Sequence, residues 1–255
     1  MNRSGLTTNR PPSPPKMNCR AANSDGSRPF RRLFDPTDAM QFEDELNRVL
    51  PSDLPNRETV IHCASKHLAL IVEANKVLNL TRIVTPREAA IKHVLDSVMP
   101  WRLFLGARQV LDAGTGAGFP GIPLALVLPE THFTLAESVQ KKARFVESAL
   151  AELNLPNVEI TPRRAEELTG INVVTARALA PIPRVLALFR PALKAGARIL
   201  LYKGPDAERE ITEAATEARK IRVRMEVVMR YDLPDSLGTR TVVQITVEGQ
   251  SPRSI

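Results

Sequence analysis

A glycine-rich turn constrains this chain more than any other stretch of its sequence. Residues 110–124 read VLDAGTGAGFPGIPL, an apolar run that ends at Asp112 and leads into glycines 114, 116 and 118 and a helix-compatible segment. This order predicts a β-strand, a tight turn and an α-helix. Glycines suit such a turn because they adopt positive φ and leave the main chain bare, so that a ligand can lie directly against it. The stretch therefore predicts a nucleotide-cofactor loop.

The spacing of the glycines restricts the cofactor. A dinucleotide fingerprint starting at Gly114 would have its third glycine at position 119, where the chain has Phe119. A phosphate-binding P-loop would have Lys-Ser or Lys-Thr after the glycines, and neither pair follows them here. The remaining pattern, an acidic residue before G-x-G-x-G, is typical of S-adenosylmethionine (SAM) methyltransferases. A purely structural strand-to-helix turn stays the alternative at this point.

A second acidic residue supports nucleoside binding. The segment HFTLAE, residues 132–137, alternates apolar and polar positions and ends in Glu137, 23 residues after Gly114. A carboxylate at the end of the second strand is placed to accept hydrogen bonds from a ribose diol. Because NAD enzymes use the same device, Glu137 does not choose the nucleoside, and an NAD-dependent dehydrogenase stays an alternative.

The composition divides the chain into three regions. Residues 1–35 are rich in proline and in Lys and Arg and poor in aliphatic residues, which predicts a disordered basic tail. Most of the formal net charge of +7 lies in this tail, so the basic pI is no evidence for a basic folded domain. An organellar transit peptide and a true start at Met17 or Met40 are alternatives for this region.

Residues 36–105 are predicted to form an N-terminal helical cap. Apolar residues recur at helical spacing, as at Ala39, Phe42, Leu46 and Leu50. Thr85 to Glu88 reads TPRE, a capping box with proline at the first helical position, and predicts a helix that runs to about Phe104.

Residues 106–250 are predicted to form a doubly wound, mostly parallel α/β sheet of the Rossmann-like class I SAM methyltransferase type. Further strands are predicted at 132–137, 157–161, 171–177 and 197–204, with a helix at 139–153 after the first of these and another at 206–220 after the last. The last two strands, about 222–231 and 239–247, resemble a hairpin and predict one antiparallel strand at the edge of the sheet. No apolar run approaches 18 residues, so no membrane span is predicted.

The end of the fourth strand indicates the chemistry. Arg177 is predicted to face the methyl donor, because ligands of open α/β sheets lie beyond the carboxyl ends of the strands. The segment Thr175 to Leu179 lacks the Asn/Asp-Pro-Pro-aromatic motif of amine methylation, and neither cysteine is near this edge to act as the nucleophile of pyrimidine carbon-5 methylation. A ring nitrogen with a free lone pair fits better, since positioning and electrostatics suffice there. Arg177 would bind the base or the SAM carboxylate; a surface ion pair is the alternative.

Several motifs together resemble the ribosomal RNA small-subunit methyltransferase G family, also called glucose-inhibited division protein B. They are Asn79-Leu80-Thr81, HVLDS at 93–97, DAGTGAGFPGIPL, LAES followed by KK, RAEE, ARA and YKG, in the family's order from about residue 40 to 247. The resemblance implies SAM-dependent methylation of ring nitrogen 7 of a guanosine in 16S ribosomal RNA, without a metal ion.

The resemblance also implies roles for individual residues. The predicted cofactor-binding residues are Asp112, Gly114, Gly116, Gly118, Phe119, Glu137, Ala165 and Glu166. The predicted substrate-binding residues are His93, Asp96, Ser97, Arg177 and Lys203, with Arg177 as the catalytic residue. We expect a cytoplasmic monomer that acts on 16S ribosomal RNA or on the small ribosomal subunit. A small-molecule SAM methyltransferase and a non-catalytic RNA-binding protein are the alternatives.

Overall fold

The computed structural model of the chain describes residues 36–83 and 85–249. The tail predicted for residues 1–35 lies outside these ranges. The helices that precede the sheet are α1 (Pro36–Val49), α2 (Arg57–Leu78), α3 (Pro86–Ala89) and α4 (Asp96–Val98), with a π-helical segment, Ala90–Leu95, between the last two and a 3-10 turn at Trp101–Phe104. Within the described ranges, no helix has the length and apolarity needed to cross a membrane.

Seven strands and five helices follow in near alternation. The strands are β1 (Gln109–Ala113), β2 (His132–Ala136), β3 (Val158–Thr161), β4 (Val173–Arg177), β5 (Arg198–Lys203), β6 (Val223–Asp232) and β7 (Thr239–Val247). The helices are α5 (Gly121–Val127), α6 (Gln140–Leu153), α7 (Ile182–Leu188), α8 (Arg190–Lys194) and α9 (Ala207–Ile221), and a 3-10 turn, Ala165–Glu167, follows β3. The predicted strand and helix positions agree with these bounds to within a few residues.

The strands form one sheet in the order β3-β2-β1-β4-β5-β7-β6. Strands β1 to β5 are parallel, and β7 is antiparallel to both β5 and β6. The prediction of an antiparallel strand was right, but its predicted position at the edge was wrong, because β6 is the edge strand.

The side chains of the two last strands explain their order. Val242, Val243 and Ile245 of β7 are fully buried, as an inner strand requires. The edge strand β6 carries Arg224 and Glu226, which form an ion pair 3.3 Å long at the surface. Charged side chains on an exposed edge oppose pairing with another chain, so the more polar strand lies outside.

Alternate residues of each strand supply two hydrophobic cores, one on each face of the sheet. On β5, Leu200 and Tyr202 belong to the core shared with α1, α2, α5 and α6. Their neighbours Ile199 and Leu201 belong to the core shared with α7 and α9. The helices that precede β1 thus pack on the same face as α5 and α6, and helices cover both faces of a doubly wound sheet.

The parallel strands bring four loops to one place. Strands β1, β2, β3 and β4 end at Ala113, Ala136, Thr161 and Arg177, and all four carboxyl ends lie at the same edge of the sheet. Ligands of open α/β sheets bind in the crevice beyond this edge. The candidate site is therefore built from the loops that follow these strands and from the helical segment that covers them.

Candidate active site

The glycine loop turns sharply at the end of β1. Gly114, Gly116 and Gly118 have φ of +69°, +63° and +100°, a region that other residues adopt only with strain. The amides of Gly114 and Thr115 both donate to the carbonyl of Ala136, at 2.9 and 3.1 Å, which ties the loop to the end of β2. The predicted strand, turn and helix are confirmed.

Asp112 holds this loop from below. Its side chain is fully buried, and Oδ2 accepts hydrogen bonds from Thr115 Oγ1 at 2.6 Å and from the Gly121 amide at 2.8 Å. Oδ1 has no partner among the described residues. Burial raises the pKa of Asp112 to about 6, against the lowering effect of these two bonds. The structure therefore places Asp112 beneath the loop, where its observed contacts order the main chain.

Glu137 lies beside the loop with its carboxylate turned toward it. Oε2 accepts from the Gly116 amide at 3.1 Å and Oε1 from the Val139 amide at 2.8 Å. A Cβ added to Gly116 would have no heavy atom of the described chain within 4 Å. Bare main chain that faces open space, with a carboxylate beside it, fits a cofactor that carries a ribose. Each carboxylate oxygen retains capacity to accept from a ribose hydroxyl.

The turn after β3 borders the same crevice. Ala165 is buried and packs in one core with Ala113 and Ala136, the last residues of β1 and β2. Glu166 is partly exposed, and its carboxylate lies 3.8 Å from Arg164 Nη1. The predicted pair Ala165 and Glu166 thus lies at the carboxyl edge, next to the ends of β1 and β2.

A π-helical segment covers the crevice opposite the glycine loop. The amide of Asp96 donates to the carbonyl of Ile91, five residues earlier. In an α-helix the Asp96 amide would donate to the Lys92 carbonyl. Here that carbonyl accepts a hydrogen bond from Arg177 Nη1 at 2.7 Å instead. The helix predicted from Thr85 to about Phe104 is therefore interrupted here: one extra residue in this turn exposes a carbonyl to a side chain of the sheet.

The start of this covering segment differs in part from its prediction. Pro86 occupies the first turn as predicted, but Thr85 makes no side-chain capping hydrogen bond. Glu88 pairs instead with Lys92, at 2.6 Å. The predicted capping box was wrong because this ion pair within the helix takes the glutamate.

Asp96 contacts two guanidinium groups and a phenol at the carboxyl edge of the sheet. We call Asp96, Arg177, Tyr231 and Arg240 the Asp96 cluster. The Asp96 side chain is 2% exposed, and its oxygens lie 3.1 Å from Arg177 Nη1 and 3.4 Å from Arg240 Nε. The Tyr231 hydroxyl donates to Oδ1 at 2.9 Å. Burial and the nearby carboxylate raise the pKa of Tyr231 far above its ordinary value, so this phenol stays a donor.

Phe119 joins the glycine loop to this cluster. Its ring stacks on His93 with 4.6 Å between centroids and 7° between planes, and the guanidinium carbon of Arg177 lies 5.4 Å from its centroid. His93 Nε2 lies 3.1 Å from Thr81 Oγ1. Burial, with the charge of Arg177 beside it, lowers the pKa of His93 to about 3, so the imidazole is neutral near pH 7.

Two predicted substrate residues make mainly internal contacts. Ser97 is fully buried, and its hydroxyl donates to the His93 carbonyl within the helix. Lys203 forms an ion pair with Glu210 at 2.6 Å and donates to the Ala180 carbonyl at 2.8 Å. The structure thus brings His93, Asp96 and Arg177 together around Phe119, and it places Ser97 and Lys203 in other contacts.

Sequence reasoning missed two aromatic or imidazole contributors to the site. Tyr231 lies on β6, whose edge position was not predicted, so nothing in the sequence placed it over Asp96. His67 on α2 contacts the glycine loop, with its Nε2 2.8 Å from the Ala117 carbonyl. The available signal was its position on the apolar stripe of α2, three residues after the buried Ala64.

The chain is similar in sequence to known proteins. The family model described as rRNA small subunit methyltransferase G matches residues 61–234. A protein of Solibacter usitatus named ribosomal RNA small subunit methyltransferase G is 66% identical over 209 residues, which cover 81% of this chain and all of that protein. A protein of Carboxydothermus hydrogenoformans with the same name is 34% identical, over 72% of this chain and 81% of that protein.

A solved structure is similar in fold. The O-methyltransferase of Bacillus cereus, in complex with S-adenosylhomocysteine (SAH), superimposes with a TM-score of 0.51 and 18% identity, over 82% of this chain and 98% of that one. At this identity the likeness concerns the fold alone. It confirms the predicted class I SAM-dependent methyltransferase architecture.

Proposed function

The chain belongs to the rRNA small subunit methyltransferase G family, and from that membership we propose that it methylates ring nitrogen 7 of a guanosine in 16S ribosomal RNA. It is a SAM-dependent methyltransferase, and its reaction modifies ribosomal RNA. Bound SAM supplies an electrophilic methyl group on a sulfonium. The nitrogen lone pair would form the new N–C bond as the C–S bond breaks with its electrons going to sulfur, and the guanine ring would take the positive charge.

One observation carries the choice of acceptor. Arg177 is fixed through Nη1 by the Lys92 carbonyl and by Asp96, and its Nε and Nη2 donate to no residue that the structure describes. These donors lie next to the Phe119 ring at the carboxyl edge. A guanine presents a carbonyl oxygen beside its unprotonated ring nitrogen. Arg177 can therefore hold the oxygen by hydrogen bonds while the nitrogen stays free to attack.

The chemistry at such a nitrogen needs no general base. Ring nitrogen 7 carries no proton, so rate enhancement comes from in-line positioning and from the electrostatic setting. The neutral His93 presents its ring to Phe119, and the Asp96 carboxylate lies near the place where the base would gain positive charge. These contacts support a site that orients the acceptor without removing a proton from it.

We assign the cofactor to the crevice over the glycine loop. The methionine part would lie along Gly114, Gly116 and Gly118, beside Phe119, and Glu137 would accept hydrogen bonds from the ribose. The turn at Ala165 and Glu166 would border the adenine. The open space over Gly116 and the inward-facing carboxylate of Glu137 support this orientation.

RNA contact is proposed for the start of α6. Lys141, Lys142 and Arg144 lie near the start of this helix, whose first turn contains no acidic residue, and none of the three forms an ion pair with a described residue. Cations at a helix N-terminus oppose the helix dipole. By contrast, α9 has Glu208 and Glu210 in its first turn. The three cations at the start of α6 have no ion-pair partner among the described residues, oppose the helix dipole and lie next to the carboxyl edge. These features support a role in binding RNA phosphates.

Residues 36–105 are proposed to act as the cap and residues 106–250 as the catalytic core. We propose that the protein acts as a monomer on the small ribosomal subunit in the cytoplasm. Sedimentation of the full-length protein tests the oligomeric state.

A radiolabelled-methyl assay tests the function. Small subunits from cells that lack the gene are incubated with the enzyme and labelled SAM, and 7-methylguanine is located by strand scission after reduction. We expect one labelled guanosine in 16S RNA. Arg177→Ala should reduce the rate by about 10²–10³-fold without weakening SAH binding, whereas Arg190→Ala, an exposed control on α8, should match the wild type. Label on metabolites and none on RNA would favour a small-molecule enzyme.

A further inference from the structure

His67 contacts three consecutive residues of the cofactor loop from the helical cap. It lies on α2, fully buried, and its Nε2 is 2.8 Å from the Ala117 carbonyl. Its Cε1 lies 3.1 Å from the point where a Cβ of Gly118 would stand, and its ring centroid is 4.9 Å from that of Phe119. One side chain of the cap thus meets the loop through a hydrogen bond, a close backbone contact and a ring contact.

The hydrogen bond fixes the tautomer of this imidazole. A carbonyl only accepts, so Nε2 must carry the proton, and Nδ1 is then an unprotonated acceptor. Nδ1 is buried and has no partner among the described residues. Burial also lowers the pKa of His67 to about 4, so the ring is neutral near pH 7. The imidazole therefore uses one of its two nitrogens, and that one serves the cofactor loop.

The Ala117 carbonyl depends on this donor. Ala117 is 7% exposed, and no backbone amide of the described chain donates to its carbonyl. A buried carbonyl without a partner is unfavourable by about 1–3 kcal/mol. An apolar side chain at position 67 could fill the same volume but could not meet this need.

We propose that His67 is a positioning residue for the methyl donor, which holds loop residues 117–119 in the conformation that receives SAM. The inference rests on the proposed function of the loop. Three glycines with positive φ make the free loop costly to order, and an anchor that orders it in advance removes that cost from binding. Because Phe119 also contacts His93 and Arg177, the same anchor places the ring that joins the cofactor side to the acceptor side.

Two substitutions of His67 separate the effect of losing the hydrogen-bond donor from the effect of changing the side-chain volume. His67→Phe keeps an aromatic ring and removes the donor, while His67→Gln keeps a terminal N–H donor at a similar reach. With the full-length protein, we expect His67→Phe to weaken SAH binding about 10-fold in calorimetry and to raise KM for SAM more than KM for RNA. His67→Gln should restore SAH binding to within about threefold of the wild type.

A destabilised variant serves as the control for a merely structural role. Leu46 is fully buried on α1, and Leu46→Ala should lower Tm without changing the Kd for SAH. Should His67→Phe fail to fold, nitrogen-15 NMR of the wild type tests the same anchor, since the Nε2–H resonance should be present at pH 7 and shift when SAH is added. An imidazole protonated on Nδ1 would overturn the inference.

The outcomes distinguish failure of this inference from failure of the proposed function on which it rests. If the wild type fails to bind SAH, the proposed cofactor site itself is wrong. If the wild type binds SAH and His67→Phe binds it equally well, or His67→Gln is as weak as His67→Phe, only the positioning role of His67 is overturned.

Discussion

Replacing Gly116 with alanine separates the role of the glycine loop in folding from its role in binding. The residue has φ +63°, and an added Cβ would meet no heavy atom of the described residues within 4 Å. The substitution therefore strains the backbone without creating a clash in the protein. The methyl group would project into the space that we assign to SAM.

Two magnitudes follow from this geometry. The left-handed conformation destabilises an alanine by about 1–2 kcal/mol, which lowers Tm by about 2–8 °C in a domain of this size. A methyl group forced into a filled, well-packed contact costs about 1–3 kcal/mol, or about 5–150-fold in Kd. The loss of SAH affinity should thus be distinct from the modest loss of stability.

Calorimetry with SAH and thermal unfolding measure the two effects in the same samples. Gly170 offers a matched control, with φ +76° and a similarly open Cβ position, in the turn before β4 at the opposite end of the sheet. Gly170→Ala should lower Tm about as much as Gly116→Ala and bind SAH like the wild type. Wild-type affinity in Gly116→Ala would show that the cofactor does not lie on this backbone, and the proposed orientation would have to be abandoned.

Three further predictions concern the RNA surface, the Asp96 cluster and the buried histidines. Replacing Lys141, Lys142 and Arg144 together with alanine should leave SAH binding unchanged. It should reduce the magnitude of the slope of log K for RNA binding against log salt concentration by about 2–3. An unchanged slope would show that α6 is not part of the RNA interface. Asp96→Asn should lower the free energy of unfolding by about 2–3 kcal/mol and methyl transfer at least about tenfold, whereas the exposed Asp232→Asn should do neither. Since burial lowers the pKa of His67 to about 4, the unfolded chain binds the extra proton below pH 6.5, so stability should fall as the pH drops from 6.5 toward 4. Urea unfolding at pH 7.5 and 5.5 should show a loss about 1.4 kcal/mol smaller in His67→Gln than in the wild type; equal losses would contradict a neutral buried imidazole.

The sequence was sufficient where local patterns decide the structure. The alternation of apolar residues predicted the strands, and the glycines predicted the turn after Asp112, because glycine adopts the positive φ of this turn without strain. The position of Arg177 at the end of β4 followed from the parallel topology alone. These features depend on neighbouring residues and on the handedness of α/β units.

Other features depend on contacts between distant parts of the chain. The extra residue in Ala90–Leu95 leaves no trace in the apolar periodicity, because it is stabilised by Arg177, some 85 residues away. The strand that pairs with β5 is β7, and the hairpin pattern of the last two strands does not by itself indicate which of them lies at the edge. The contact of His67 with Ala117 spans 50 residues. The local sequence around a histidine on the apolar face of a helix predicts only a core residue.

The π-helical turn at Ala90–Leu95 rotates the part of the Pro86–Val98 helical segment that follows it, about the helix axis, relative to the part that precedes it. An α-helix advances about 100° per residue, so one inserted residue rotates everything after it by about a quarter of a circle. Asp96 meets Arg177 and Arg240 in that rotated setting. Deleting one residue from this turn would swing the carboxylate away from both guanidinium groups while the apolar flank before it stayed in place. The chain would keep its architecture and lose its charge pairing, although no side chain of the cluster had been altered.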